Sequence, residues 1–316
     1  MPLNGARPAF FGSVALVLGN GSSARWQATL ERTCEYLDRI REFQRTRSAG
    51  DSPGLPSPTG VYISGAEPFS QIEDLESLLN RAAQNGMMAE VVSSAFWADS
   101  DAAIDAVMKR VGRKINLLTI LAGRKDVDRY GLATLERLLL AVRRSNMNFQ
   151  LHVGVGPSQP FPKELLGLEV INCDTSVIRV DPVSDGQTAG SCDRWPRGYL
   201  LESPPKYARC AELMGFVIVP GGDVYPCLSS IGHTQLRIGN METQTVQDIM
   251  KIAMNSPELR RLRNEGPFFL YEVLRDSRHA GTLPRGFVSS CDFHRWLLAN
   301  ASRREYASVT HQGREP

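Results

Sequence analysis

Between residues 14 and 180, short apolar runs alternate with stretches of helical periodicity, and this alternation constrains the fold more than any other feature. Strands are expected at 14–18, 61–64, 89–94, 115–121, 150–155 and 177–180. Helices are expected at 25–44, 71–85, 101–111 and 132–145, with a short one near Lys163. In the first helix Leu30, Leu37, Ile40 and Phe43 fall near helical spacing, and Gly86 and Gly112 end the next two. Strands that alternate with helices of this length imply βαβ crossovers and a parallel sheet. The expected class is therefore α/β: a partial (β/α)6 or TIM-like barrel of parallel strands, with its functional groups at the carboxyl ends of the strands.

Beyond residue 185 the pattern changes and cysteine chemistry takes over. Of six cysteines, four lie in the last 125 residues: Cys192, Cys210, Cys227 and Cys291. Six in a chain of 316 residues are too few for a disulfide scaffold, and clustered cysteines in such a chain point to metal. Cys210 and Cys227 stand in the spacing C-x11-G-x4-C, with Gly222 as the glycine, and Cys291 and His294 form C-x-x-H. The residues between read as a hairpin: strand 216–219, a turn at Pro220, Gly221, Gly222 and Asp223, and a return strand ending at Cys227. Folding the hairpin brings the two cysteines together, and Cys and His at such spacings suit zinc or an iron–sulfur cluster. Ordinary buried thiols and a core imidazole are the competing reading. Cys34 and Cys173 have no partners in sequence and are taken as structural.

The C-x11-G-x4-C spacing, the following LRIGNMETQTVQDI and the late C-x-x-H resemble the SPASM or twitch extension of radical S-adenosylmethionine (SAM) enzymes. That resemblance implies an auxiliary 4Fe–4S cluster held by Cys210, Cys227, Cys291 and His294, with Cys192 as an alternative ligand. His294 stands where the family usually has its last cysteine, so a cluster, a zinc ion and no metal all stay open. The second strand ends in Gly65-Ala66-Glu67-Pro68, similar to the GGEP motif of radical SAM domains, and the third in Ser93-Ser94-Ala95-Phe96-Trp97-Ala98, similar to the TN[GA]FWA stretch of some members. By that resemblance Gly65, Ala66, Glu67 and Pro68 form a SAM-binding segment, in which Glu67 and the Gly65 backbone take the amino group. An ordinary helix cap is the competing reading of Glu67. The implied organisation is a barrel domain at 1–185 with a Pro/Ser/Gly-rich loop at 48–59, a SPASM/twitch-like extension at 186–300, and a disordered tail at 301–316.

One piece of the family pattern is replaced. Radical SAM enzymes carry C-x3-C-x2-C after the first strand, and on that pattern this chain has Ser22, Trp26 and Thr29. A 4Fe–4S cluster needs thiolates, which a serine, an indole and a threonine do not supply. Cys34 comes more than a helical turn too late to substitute. At the fourth strand end, Ala122, Gly123, Arg124 and Lys125 stand where related members often carry Asp-x-x-His. Reductive cleavage of SAM at the usual place is therefore not expected.

Composition sets the remaining bounds. A formal net charge of +2 gives no support for nucleic-acid or anionic-membrane partners. The early run at 14–18 is too short to span a bilayer and lacks the flanks of a signal peptide, so a cytoplasmic protein is expected. The combined expectation is a radical-SAM/SPASM-like protein without the catalytic cluster. It would act as a partner of an active radical SAM enzyme in maturing a peptide or natural product. The alternative is an active radical SAM-type enzyme that uses its auxiliary cluster or one borrowed from a partner chain.

Overall fold

The computed structural model describes residues 13–18, 23–47, 60–155, 160–168, 171, 178–182, 215–275, 283 and 290–300. Six strands, β1 (Ser13–Leu18), β2 (Gly60–Gly65), β3 (Met88–Ser93), β4 (Leu117–Leu121), β5 (Asn148–Val155) and β6 (Ile178–Pro182), lie parallel and side by side in sequence order. Helices α1 (Ser23–Arg47), α2 (Ile72–Gln84), α3 (Asp101–Val111), α4 (Arg124–Tyr130) and α5 (Leu132–Arg144) connect them. Three further strands continue the same sheet: β7 (Gly215–Ile218), β8 (Asp223–Tyr225) and β9 (Gly239–Asn240). Then come α6 (Val246–Asn255), α7 (Pro257–Glu265), α8 (Phe268–Arg275) and α9 (Ser290–Asn300).

The strand order β6-β5-β4-β3-β2-β1-β7-β8-β9 explains why the barrel is partial. In a closed barrel β1 would pair with the last parallel strand. Here one edge of β1 carries β2 and the other carries β7, also parallel, so neither edge is left to close the ring. The hairpin β7–β8 and the short β9 are antiparallel and extend the sheet outward.

The parallel strands are rich in apolar residues, and one face of each of β1 to β5 is buried in the main core. Val14, Leu16, Val61, Ile63, Val91, Leu118, Ile120 and Leu151 are buried in the main core, together with Leu30, Leu37 and Ile40 of α1 and Leu75, Leu78 and Leu79 of α2. A smaller cluster of Ala15, Val217 and Tyr225 packs on the opposite face of β1, where the hairpin joins. Cys34 is half-buried on α1, and burial pushes its thiol pKa up, in keeping with a structural residue.

One helix departs from the sequence reading. After β4 the chain forms α4, seven residues long, which is not among the helices that the sequence pattern predicts. The backbone N–H of Gly123 donates to the Asp126 carboxylate (3.2 Å), and Gly131, at φ +80°, ends α4 and admits α5. Too short and too charged to show apolar periodicity, α4 buries only Val127. Arg124 does not stand free at this strand end: its guanidinium makes paired bonds of 3.1 and 2.9 Å to the Glu164 carboxylate. Among the described residues, no helix is long and apolar enough to cross a membrane.

Candidate functional site

Two places carry the residues that the sequence singles out: the strand-end rim at β2 and β3, and the corner where α9 meets the turn after β8.

At the rim, Gly65 closes β2 with φ +112°, and a Cβ there would lie 2.2 Å from the Leu18 carbonyl oxygen. Only glycine fits a position so close to the end of β1. The next residue, Ala66, donates its N–H to that same carbonyl (3.0 Å) without a positive φ, so an alanine is tolerated where the family motif has a second glycine. Glu67 then turns its carboxylate toward β3. One oxygen accepts from Ser93 Oγ (2.9 Å) and from the Phe69 N–H (3.3 Å). The other accepts from the Ser94 N–H (2.8 Å) and from Ser94 Oγ. Pro68 and Phe69 open a short 3₁₀ turn that Glu67 caps, so the cap belongs to that turn and not to α2.

Ser93 is 1% exposed and its hydroxyl is fully used. It accepts from the Ala95 N–H and from Trp97 Nε1, each at 2.9 Å, which leaves its proton for Glu67. Ala95 is held at φ +61°, a conformation that non-glycine residues adopt only when their surroundings enforce it. The Trp97 ring stacks on Phe69 at 4.6 Å between centroids. Phe96 faces Tyr130 at 6.2 Å and lies under the Arg129 guanidinium at 3.6 Å. The resemblance of 93–98 to the TN[GA]FWA stretch marks this segment, but nothing in the sequence signals Ser93 and Ser94 as partners of Glu67.

At the corner, Cys227 is buried directly after β8 and opens a 3₁₀ turn at Leu228–Ser230. Ser230 braces it, donating its hydroxyl to the Cys227 carbonyl (2.7 Å). Helix α9, which carries Cys291 and His294, packs against this turn, and Gln235 Nε2 reaches the Leu298 carbonyl of α9 at 3.4 Å. His294 is 4% exposed, among buried Phe293, Trp296 and Leu297. Burial first, and the nearby His233 second, push its pKa down to about 4, so at neutral pH it is an uncharged imidazole. His233 is lowered too, by burial. Nothing in the sequence signals that His233 comes near His294.

A neutral imidazole and a buried thiol are donors that zinc and iron–sulfur centres use, so Cys227 and His294 suit the expected metal chemically. Among the described residues, no three His, Cys, Asp or Glu side chains gather into a metal site. The backbone of Cys291 lies on α9, one turn before His294, but its side chain is outside the described residues, as are Cys192, Cys210 and Cys173. Trp26 and Thr29 fall in the first two turns of α1 by backbone, whereas Ser22, the loop at 48–59 and the tail at 301–316 also lie outside.

The hairpin is tied to the barrel by α1. Arg39 donates to the carbonyls of Met241 and Gln244, Tyr36 donates its hydroxyl to the Glu242 carboxylate, and Arg32 pairs with Glu242 at 3.3 Å. The glycine of the C-x11-G-x4-C spacing sits inside this tie. Gly222 has φ +81°, and a Cβ on it would come within 2.9 Å of Tyr36 Oη.

Comparison with known proteins agrees with this architecture. Residues 210–273 match the family model of SPASM, an iron–sulfur cluster-binding domain. The match begins at Cys210, includes Cys227, and stops before Cys291 and His294. Among solved structures, SuiB of Streptococcus suis is similar at a TM-score of 0.50 and 11% identity, over 76% of this chain and 65% of SuiB. Native anSMEcpe with bound AdoMet is similar at 0.51 and 12%, over 94% of this chain and 98% of that one. The same protein with AdoMet and the Cp18Cys peptide gives 0.50 and 11%, over 94% and 98%. At these identities the likeness is one of fold, and the chain spans 65% of the length of SuiB. No curated protein sequence matches the chain.

Proposed function

We propose that this chain, which carries a SPASM segment on the fold of radical SAM enzymes, serves in the modification of a peptide or natural product as a partner that does not cleave SAM itself. The observation that carries this reading is selective replacement. Barrel, strand-end glycine and C-terminal extension are present, while the three positions that would ligate the SAM-cleaving cluster hold Ser22, Trp26 and Thr29. A serine hydroxyl, an indole and a threonine hydroxyl cannot replace three thiolates. The peptide bound in one of the similar structures supports a peptide as the substrate class.

In this reading the corner of β8 and α9 keeps a metal of structural or electron-storing type. Cys227, Cys291 and His294, together with Cys210, supply thiolate and imidazole donors to an iron–sulfur cluster or to zinc. When bound, an iron–sulfur cluster supplies a site for single electrons, whereas zinc supplies only cross-linking. Visible absorption separates a brown iron–sulfur protein from a colourless zinc one.

The test is turnover. Anaerobically purified protein, reduced with dithionite and given SAM, is expected to release no 5′-deoxyadenosine. Its addition to an active radical SAM enzyme and a peptide should change the product or the rate. Release of 5′-deoxyadenosine by the isolated chain would overturn the proposal and favour an active enzyme that works through its auxiliary cluster.

A further inference from the structure

We propose that Glu67 is an internal latch between β2 and β3, and that it leaves no place for the amino group of SAM at the strand-end rim. This deepens the reading of a chain that does not cleave SAM, but it stands on hydrogen bonds and not on the replaced thiolates. An ionised carboxylate offers about four lone-pair sites, two on each oxygen. All four are met from within the chain. Phe69 N–H and Ser93 Oγ address one oxygen, and the Ser94 N–H and Ser94 Oγ address the other.

The direction of each bond is fixed by elimination. Two of the donors are backbone N–H groups, which can only donate. The Ser93 oxygen accepts from Ala95 N–H and Trp97 Nε1, and its single proton has Glu67 as its acceptor. Register places these groups: Ile63 pairs with Val91, so the ends of β2 and β3 lie level and the carboxylate spans the gap. A cation arriving from solvent would have to displace one of these donors. The displaced group would then lose its partner beside Trp97, which is stacked on Phe69.

The latch also explains what the rim is shaped to do. Glu67 fixes Ser93, Ser93 fixes the Trp97 indole and the Ala95 turn, and the turn closes with Ala98 N–H on the Ala95 carbonyl (3.1 Å). Glu67 is thus a positioning residue for an aromatic wall.

The test compares wild type, Glu67→Gln and Ser94→Ala for thermal stability and for equilibrium dialysis of radiolabelled SAM. Glu67→Gln turns one acceptor into a donor that faces donors. A latch then loses roughly 2–4 °C in Tm in either variant. SAM retention by wild type should be nil, or unchanged by Glu67→Gln. Ser94→Ala keeps the carboxylate and so guards against misfolding of the first variant. SAM bound by wild type and lost tenfold or more in Glu67→Gln, with Ser94→Ala unchanged in both Tm and binding, would overturn the latch. SAM cleavage by a chain given a partner's cluster, at equal rates with and without Glu67→Gln, would sink the proposed function and leave the latch standing.

Discussion

The rim and the corner both hold residues that the sequence marked for ligands, yet their chemistry differs. At the rim a charged group, Glu67, is satisfied by four donors of the chain itself. At the corner a neutral imidazole, His294, is buried near His233, on the helix that packs against the turn that Cys227 opens. A carboxylate that is fully hydrogen-bonded gains little from a further cation. A desolvated imidazole keeps its affinity for a metal, because a neutral ring is the form that ligates. Motif residues alone do not distinguish these cases; their neighbours do.

The sharpest way to separate the two regions is to remove Cys227. Cys227→Ala should abolish bound metal and expose the amides of 215–240 and 290–300 to hydrogen exchange, since metal-binding free energy is folding free energy at such a site. Strands β2 and β3 should keep their protection. If exchange rises equally at the rim, the two regions are one cooperative unit and the comparison fails.

Acid should act on the corner next. In metal-free protein, His294 has a folded pKa of about 4, below its ordinary value of 6.5. Below pH 6.5 the unfolded chain takes up a proton that the folded chain refuses, so this contribution is whole above pH 6.5 and is lost as the pH falls toward 4. The loss should be on the order of 2–3 kcal/mol in denaturant titrations, and His294→Phe should flatten the slope.

Ser93→Ala is the matching change at the rim. It orphans Trp97 Nε1 and the Ala95 N–H and takes a donor from Glu67. The expected cost is about 1–3 kcal/mol, with a shift in tryptophan emission and no change in metal content. Smallest is Arg39→Ala, which removes two hydrogen bonds between α1 and the 241–244 loop. It should cost about 1–2 kcal/mol and speed amide exchange at 239–246.

How legible these features are in the sequence follows the range of the interactions. Strands β1 to β6 are legible because short β-branched and apolar stretches alternate with helical periodicity at a regular spacing. Helix α3 begins and ends at the residues its pattern predicts, from Asp101 to Val111, because Ser100 caps it and Gly112 follows it. The caps Thr245 and Ser256 are equally local and equally visible. Pairing of β7 with β1 joins segments some 200 residues apart, and no periodicity encodes it. The Glu67–Ser93 bond depends on the β2–β3 register, and the approach of His233 to His294 on the docking of α9. Residue types are readable one at a time, whereas saturation of a carboxylate is a property of the folded neighbourhood.

Metal content of an anaerobic preparation tests the central claim most directly. Iron and acid-labile sulfide, counted per chain, should amount to no more than one 4Fe–4S cluster, or to zinc alone, and Cys227→Ala should remove it. Two 4Fe–4S clusters per chain, one of them surviving Cys227→Ala, would place a cluster in the barrel and contradict the account.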